Sequence, residues 1–126
     1  MKTATFLGLR SAIAAVPDLA QAKAWYGELL GIEPYFDQPF YVGFNVGGFE
    51  LGLHPAREDA QAGPGGAVAY WGVERIDQAW AHAIGLGAAA VSAPRDVGEG
   101  IQVAMIADPF GNTLGLIENP HFPNRA

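Results

Sequence analysis

Two ionisable side chains, Glu50 and His54, stand four residues apart in a short apolar segment, 49–54. An extended strand places alternate side chains on one face, so Glu50, Gly52 and His54 share a face and the apolar residues between them share the other. A carboxylate there could neutralise a cationic ligand or act as a base, and an imidazole could exchange a proton near neutral pH. The alternative is that both groups are solvated at the two ends of the strand.

The other reactive groups exclude several kinds of site. The chain has no cysteine, and therefore no disulfide, zinc-thiolate site or thiol nucleophile. Its other two histidines, His82 and His121, lie too far from His54 in sequence for a metal motif, and we expect both to be exposed or simply packed. No glycine-rich phosphate loop or Gly-x-Ser-x-Gly turn is present. The segment at 108–112, DPFGN, has the composition of a hairpin loop, and we assign it no catalytic role.

Composition predicts one globular domain over residues 1–126. Half of the residues are apolar and 16% are charged, which excludes a disordered chain. The formal net charge of −6 disfavours nucleic acid and anionic membrane surfaces as partners. The sequence shows no signal-peptide pattern and no apolar run of about 20 residues, so we expect a soluble, cytoplasmic protein.

The first half of the chain predicts a strand, a helix and three further strands. A strand at 8–16 ends before Pro17, and Asp18 is placed to cap a helix at 19–30 that Gly31 terminates. Three short strands follow, at 33–37, 40–46 and 49–54. The glycine pair between the last two suits a two-residue hairpin. Together these elements define a first module at about 8–54.

The second half repeats this plan after a linker at 55–66 that is rich in charge, Gly and Pro. Its predicted elements are a strand at 67–73, a helix at 76–86 and strands at 88–92, 101–107 and 113–118. They define a second module at about 67–118, in which a loop around 94–100 absorbs six extra residues. Arg75 replaces the capping residue Asp18, and Glu74 is expected to cap the second helix instead.

This duplicated order resembles the vicinal oxygen chelate superfamily, which includes glyoxalases, bleomycin-resistance proteins and extradiol dioxygenases. The resemblance covers about residues 8–118 and rests on three stretches. They are VPDL at 16–19 leading into AWY at 24–26 and LLGI at 29–32, then FELGLHP at 49–55, and DPFGNTLGLIE at 108–118. The resemblance implies an α+β fold of two tandem βαβββ modules, with curved mixed sheets around a trough and helices on the outer face. It does not imply one reaction, because one fold hosts many chemistries.

The resemblance also indicates where a metal would bind. Metal-dependent members use His, Gln or Glu on the first and last strand of each module, and the corresponding residues here are Ser11, Gly52, Val68 and Gly115. Three of these have no side-chain donor, and a neutral hydroxyl is a poor sole ligand. We therefore expect no metal and no other cofactor. If a metal does bind, Glu50 and His54 are the next candidates.

With Gly52 on the trough side, strand alternation assigns the lining of a ligand site. The expected ligand-binding residues are Ser11, Ile13, Glu50, Gly52, His54, Val68, Tyr70, Gly115 and Ile117. Largely apolar walls with a few polar points suit a small hydrophobic or aromatic molecule, and the acidic balance favours a cation. Four further residues either extend this lining or pack in the core: Phe36, Phe40, Tyr41 and Met105.

Three functions remain open at this point. We favour a metal-free binding protein that resembles the bleomycin-resistance type and holds a small molecule in the trough. The alternative is an enzyme of the same superfamily, a lyase, isomerase or dioxygenase, that uses a displaced metal or Glu50 and His54. The third is an interaction module whose trough is filled by side chains. The resemblance further implies a homodimer, with the modules paired within a chain or between chains.

Overall fold

The structure is a computed structural model that describes residues 9–57, 63 and 68–121. The first module consists of β1 (Ser11–Val16), α1 (Leu19–Leu30), β2 (Phe36–Gln38), β3 (Tyr41–Val46) and β4 (Phe49–Pro55). The second consists of β5 (Tyr70–Gly72), α2 (Ile76–Gly85), β6 (Ala89–Gly98), β7 (Ile101–Ala107) and β8 (Thr113–Glu118). The predicted α+β fold of two tandem βαβββ modules is confirmed. Most of the predicted linker lies outside the described residues.

The two sheets have the same topology. The strand orders are β1-β4-β3-β2 and β5-β8-β7-β6, and in each sheet only the first pair is parallel. In module 1, Phe44 and Leu53 are fully buried in a core that also includes Ala22 and Tyr26 of α1. Because strand side chains alternate, the residues next to Phe44 in β3 and next to Leu53 in β4 project from the opposite side of the sheet, away from α1. No helix among the described residues is long and apolar enough to cross a membrane.

The two helices begin with different caps. The Asp18 side chain accepts a hydrogen bond from the Gln21 amide at 3.0 Å, as predicted, and Gly31 ends α1 with a φ of 69°. Arg75 makes no capping bond at the start of α2. Glu118 of β8 does so instead, because its Oε1 accepts from the Ile76 amide at 2.8 Å. The prediction that Glu74 caps α2 is therefore wrong.

The predicted loop at 94–100 is also wrong for most of its length. Strand β6 runs from Ala89 through Pro94 to Gly98, and only the turn that follows it is irregular. Its pairing with β7 shifts register three times, which marks bulges that take up the extra residues. Pro94 is tolerated because β6 is an edge strand and bulges need no donor at every position. Strands β2 and β5 are shorter than predicted.

The modules contact each other through their helix sides. Trp25 of α1 donates its indole N–H to the Leu86 carbonyl at 2.6 Å, and His82 Nε2 of α2 lies 3.1 Å from the Leu29 carbonyl oxygen. Corresponding residues of the two modules are 57 positions apart at this point, so Trp25 corresponds to His82 and Leu29 corresponds to Leu86. Trp25 and His82 therefore form a pair of equivalent contacts, as expected for two copies of one unit.

The loop at 108–112 strengthens this contact. Asp108, only 4% exposed, accepts from the Tyr26 hydroxyl at 2.5 Å and from the amides of Phe110 and Asn112. The Asn112 side chain donates to the Ala15 carbonyl at 2.8 Å. Burial and the Asp108 carboxylate both raise the pKa of Tyr26, which keeps its hydroxyl a donor. The segment thus holds one module against the other.

One expectation about the sheets is not met within a single chain. The resemblance implies sheets that surround a trough, but the trough sides of the two sheets do not cover each other, since Ile13 on β1 is 59% exposed and Tyr70 on β5 is 46% exposed. The intramolecular contact uses the helix sides, so these sheet faces remain open to solvent.

Candidate functional site

Five of the nine predicted site residues share the side of the module 1 sheet that points away from α1. Ser11 pairs with Glu50 and Ile13 with Gly52 across β1 and β4, and paired residues project to the same side. His54 follows two residues after Gly52. The surface, called the module 1 face below, comprises Ser11, Ile13, Tyr35, Phe36, Phe40, Tyr41, Gly43, Glu50, Gly52 and His54.

The Glu50 carboxylate is the centre of this face. Its Oε1 accepts hydrogen bonds from the Ser11 hydroxyl at 2.7 Å and from the Tyr41 hydroxyl at 2.6 Å. Its Oε2 accepts a short hydrogen bond from the Tyr35 hydroxyl. Three hydroxyl groups from three segments of the module therefore fix the position of one negative charge.

Two facing glycines make room for this arrangement. Gly43 of β3 pairs directly with Gly52 of β4. A Cβ at Gly52 would overlap the Tyr41 hydroxyl, and one at Gly43 would lie 2.8 Å from Glu50 Oε2 and 3.2 Å from Tyr35 Cε1. The absence of both Cβ atoms lets the two tyrosine side chains lie across the sheet and reach the carboxylate.

The hydrogen bonds set the protonation of the cluster. Partial burial acts to raise the pKa of Glu50, but the donors Tyr35, Tyr41 and Ser11 stabilise the anion and hold that pKa below its usual range. Burial raises the pKa of Tyr41, and the bond to Glu50 adds to the shift. The pKa of Tyr35 is raised chiefly by its bond to Glu50. At neutral pH the cluster is a carboxylate surrounded by protonated hydroxyls.

Aromatic rings border the carboxylate. The Phe36 ring centroid lies 6.2 Å from that of Phe40 and 6.0 Å from that of Tyr41, both in edge-on arrangements. Tyr35 and Phe40 are 62% and 65% exposed. These residues therefore extend the face, and of the two alternatives given by the sequence, core packing does not apply to Phe40.

His54 does not join the Glu50 cluster. Its Nδ1 lies 2.8 Å from its neighbour's carbonyl, that of Pro55, and 3.2 Å from the Arg57 guanidinium. Four residues along a strand separate His54 from Glu50 by about 13 Å, since each residue advances the chain by about 3.3 Å. The two groups lie on one face but cannot act together on a single atom.

The corresponding face of module 2 has glycines and apolar residues at its centre. Tyr70 pairs with Gly115 and Gly72 with Ile117 across β5 and β8, while Met105 flanks Gly115 on β7. A Cβ at Gly115 would lie 2.5 Å from the Tyr70 ring, so this glycine also accommodates a tyrosine. Val68 is half-buried and precedes β5. The module 2 face is defined here as Val68, Tyr70, Met105, Thr113, Gly115 and Ile117.

The structure permits a test of the positions that the resemblance assigns to metal ligands. At two of them, Gly52 and Gly115, the space for a side chain is taken by Tyr41 and Tyr70. Ser11 carries the one oxygen donor of the set, and it is hydrogen-bonded to Glu50. Within residues 9–57, 63 and 68–121, no group of three or more His, Asp or Glu side chains could hold a metal ion.

Two surface grooves lie away from these faces. One of about 590 Å³ surrounds the start of α2 and is lined by acidic side chains, including Glu118, which already caps the helix. The other, of about 400 Å³, runs beside α1 near Lys23. Neither groove brings together groups with a chemical role, so the charge on the module 1 face remains the best candidate site.

Comparison with known proteins agrees with this architecture. The sequence profile of the Glyoxalase/Bleomycin resistance protein/Dioxygenase superfamily matches residues 8–116. The chain therefore belongs to that superfamily. No functionally curated protein matches the chain.

Solved structures share the fold. A glyoxalase-related enzyme from Fulvimarina pelagi is 19% identical, with a TM-score of 0.78 and 96% of each chain covered. A glyoxalase/bleomycin resistance protein from Catenulispora acidiphila is 27% identical, with a TM-score of 0.66, covering 90% of this chain and 100% of the other. A superfamily member from Sphaerobacter thermophilus is 21% identical, with a TM-score of 0.74 and coverage of 92% and 100%.

Sequence reasoning missed Tyr35 and Gly43. The hairpin closed by Gly47 and Gly48 could have identified the glycine, because a two-residue turn that pairs residue 46 with 49 also pairs 43 with 52. Tyr35 had no such signal, since it precedes β2 in an irregular segment.

Proposed function

We propose that the protein binds a small cationic molecule with an aromatic or hydrophobic body on the module 1 face. The observation that carries this proposal is the Glu50 carboxylate, which is ionised, fixed by three hydroxyls and bordered by exposed rings. A carboxylate attracts a cation, and aromatic rings stabilise one through their π faces. The net charge of −6 adds a favourable long-range field.

We further propose that binding requires no metal. The residues at the metal positions of the superfamily do not fit a divalent ion, because Gly52, Val68 and Gly115 offer no side-chain donor. Rings from Tyr41 and Tyr70 lie where ligand side chains would project from the two glycines. The carboxylate nearest these positions, Glu50, is already engaged by three donors.

The enzyme alternative has weaker support. A carboxylate whose pKa is held below its usual range is a poor general base at neutral pH. A second group would have to assist it, and His54 is about 13 Å away along the strand. The arrangement of Glu50 favours holding a charge over moving a proton.

The exposed sheet faces support a homodimer as the binding form. Ile13, Tyr35 and Tyr70 expose apolar surface on the sides of the sheets that the intramolecular contact leaves open. A second copy that covers these faces would enclose the site and remove that surface from water. Light scattering at micromolar concentration should give twice the chain mass of 13.3 kDa. A mass near that of one chain would contradict the dimer.

A thermal-shift experiment tests the binding proposal, because a ligand held only by the native state raises the melting temperature. The probe is N,N-dimethylbenzylamine, a protonated amine on a phenyl ring, at millimolar concentration with and without EDTA. We expect a rise that EDTA leaves unchanged and that Glu50→Gln abolishes. Glu33→Gln is the control, since it removes the same charge from an exposed site outside the face. A rise that survives Glu50→Gln or disappears with EDTA would contradict the proposal.

A further inference from the structure

The hydrogen bonds that Glu50 already accepts limit how many further hydrogen bonds it can accept from a ligand. An ionised carboxylate offers about four acceptor positions, two on each oxygen. Oε1 already accepts from Ser11 and Tyr41, so both of its positions are filled. Among the residues that the structure describes, Tyr35 alone donates to Oε2, which keeps one position.

We infer that a ligand makes a single N–H contact with Glu50, at Oε2, and is therefore a protonated amine rather than a planar amidinium or guanidinium. The inference rests on the proposed function and adds the chemical class of the cation. Amidinium and guanidinium groups bind a carboxylate best through two parallel hydrogen bonds, one to each oxygen. Because Oε1 is saturated, Glu50 cannot offer that pair without losing Ser11 or Tyr41.

The surroundings of Oε2 suit such a contact. Gly43 has no Cβ, which lets Oε2 lie against the sheet beside the Tyr35 ring. Tyr35 is mostly exposed, and Phe36 and Phe40 continue the aromatic surface from the same segment of the module. An amine bonded to Oε2 would have its apolar substituents next to these rings. A quaternary ammonium would contact the same rings and be attracted to the carboxylate, but it has no N–H to donate to the remaining acceptor position of Oε2.

The test compares three probes that each carry one phenyl ring and one positive charge at pH 7. They are N,N-dimethylbenzylamine, benzamidine and benzyltrimethylammonium, titrated into the full chain and followed by ¹H–¹⁵N NMR. We expect the amine to bind at least about tenfold more tightly than either of the others. Benzyltrimethylammonium has no N–H to donate, and benzamidine would leave the second N–H of its pair without an acceptor on Glu50, each a loss of about one hydrogen bond to a charged group. Resonances of the module 1 face should shift most.

Variants then change the number of free acceptors. Ser11→Ala and Tyr41→Phe each remove one donor from Oε1 and should allow the paired contact. In each we expect the preference for the amine over benzamidine to fall to about threefold or less, because the freed position on Oε1 gives benzamidine its second acceptor. Gln78→Ala, which removes a hydrogen-bonding side chain from the exposed surface of α2 in the other module, should leave the preference unchanged.

The outcomes separate the two proposals. If benzamidine binds the unaltered chain as tightly as the amine, or if the preference persists in every variant that folds, the acceptor count does not select the ligand and the inference is wrong. The binding function would then still stand. If none of the three probes shifts resonances of the module 1 face, the proposed function itself is wrong, and the inference fails with it.

Discussion

The two modules share a backbone frame but differ in the chemistry of their open sheet faces. In module 1, Glu50 stands two residues before Gly52 on β4 and pairs with Ser11 of β1. The corresponding residues in module 2 are Thr113 and Val68. Both frames keep a glycine in the last strand with a tyrosine lying over it. In module 1 that tyrosine bonds to a carboxylate, whereas in module 2 it lies over a glycine that pairs with Met105. The two modules share the fold but differ on their faces, with a carboxylate at Glu50 in module 1 and a hydroxyl at the corresponding Thr113 in module 2.

The hairpin turns also differ, but here module 2 has the more extensive hydrogen bonding. Module 1 uses the tight Gly47-Gly48 turn, where Asn45 accepts one bond from an exposed amide. Module 2 uses the longer loop at 108–112, whose buried Asp108 accepts three bonds and contacts the other module. Module 1 therefore provides the candidate site, and module 2 provides the residue that joins the two halves.

Removing the Asp108 side chain should have the largest effect on stability. Asp108→Ala leaves the Tyr26 hydroxyl and two loop amides without their acceptor in a buried place, so the free energy of unfolding should fall by about 3 kcal/mol. Urea unfolding followed by circular dichroism measures this change. Asn45→Ala in the other turn is the matched control and should cost about 0.5 kcal/mol. Equal losses in the two variants would contradict the division of roles between the turns.

Filling the module 2 face tests whether this surface, supplied by a second copy, also lines the ligand site. Ile117→Trp adds a bulky ring next to Gly72. If the module 2 face of a second copy covers the module 1 face in the proposed dimer, the ring should weaken binding of N,N-dimethylbenzylamine by about tenfold or more, since the space would be taken by protein atoms. Calorimetry measures the affinity, and circular dichroism checks the fold. If the variant folds normally and binds the amine unchanged, the ligand contacts module 1 alone.

Strand alternation and hairpin register made much of this arrangement predictable. The helix at 19–30, its cap at Asp18 and the shared face of Glu50, Gly52 and His54 all follow from local spacing, and the structure confirms them. The Glu118 cap and the Tyr35 bond to Glu50 could not be found this way, because each joins segments distant in sequence through side-chain conformations. The loop predicted at 94–100 follows from the six extra residues of module 2, whereas the structure takes them up in the bulges of β6, an edge strand where Pro94 is tolerated.

Substituting alanine for the glycine under each tyrosine should have different consequences in the two modules. Gly52→Ala displaces the Tyr41 hydroxyl from Glu50, so the pKa of Glu50 should rise toward its usual value, with a stability loss of about 1 kcal/mol. Gly115→Ala displaces Tyr70 but should not change the pKa of Glu50. NMR titration of the Glu50 carboxyl carbon measures both. An unchanged Glu50 pKa in Gly52→Ala would show that Tyr41 does not stabilise the anion.

The same titration predicts a pH dependence of stability. The pKa of Glu50 is lower in the folded chain than its usual value, so the folded state gains from its ionisation above the unfolded pKa of about 4.3. That gain is lost as the pH falls through the lowered folded pKa. The contribution of Glu50 ionisation to the free energy of unfolding should become smaller in Gly52→Ala and stay unchanged in Gly115→Ala.

The smallest expected effect concerns the helix starts, where α1 is capped locally by Asp18 and α2 remotely by Glu118. Glu118→Ala should lower stability by about 1 kcal/mol, because the Ile76 amide loses its acceptor. Arg75→Ser places a capping hydroxyl at the start of α2 and should add at most about 0.5 kcal/mol to the unaltered chain, where Glu118 already serves. In the Glu118→Ala chain the same substitution should recover more than it adds alone, since it then supplies the missing cap. Strict additivity of the two changes in urea unfolding would show that the remote carboxylate and a local hydroxyl stabilise α2 independently.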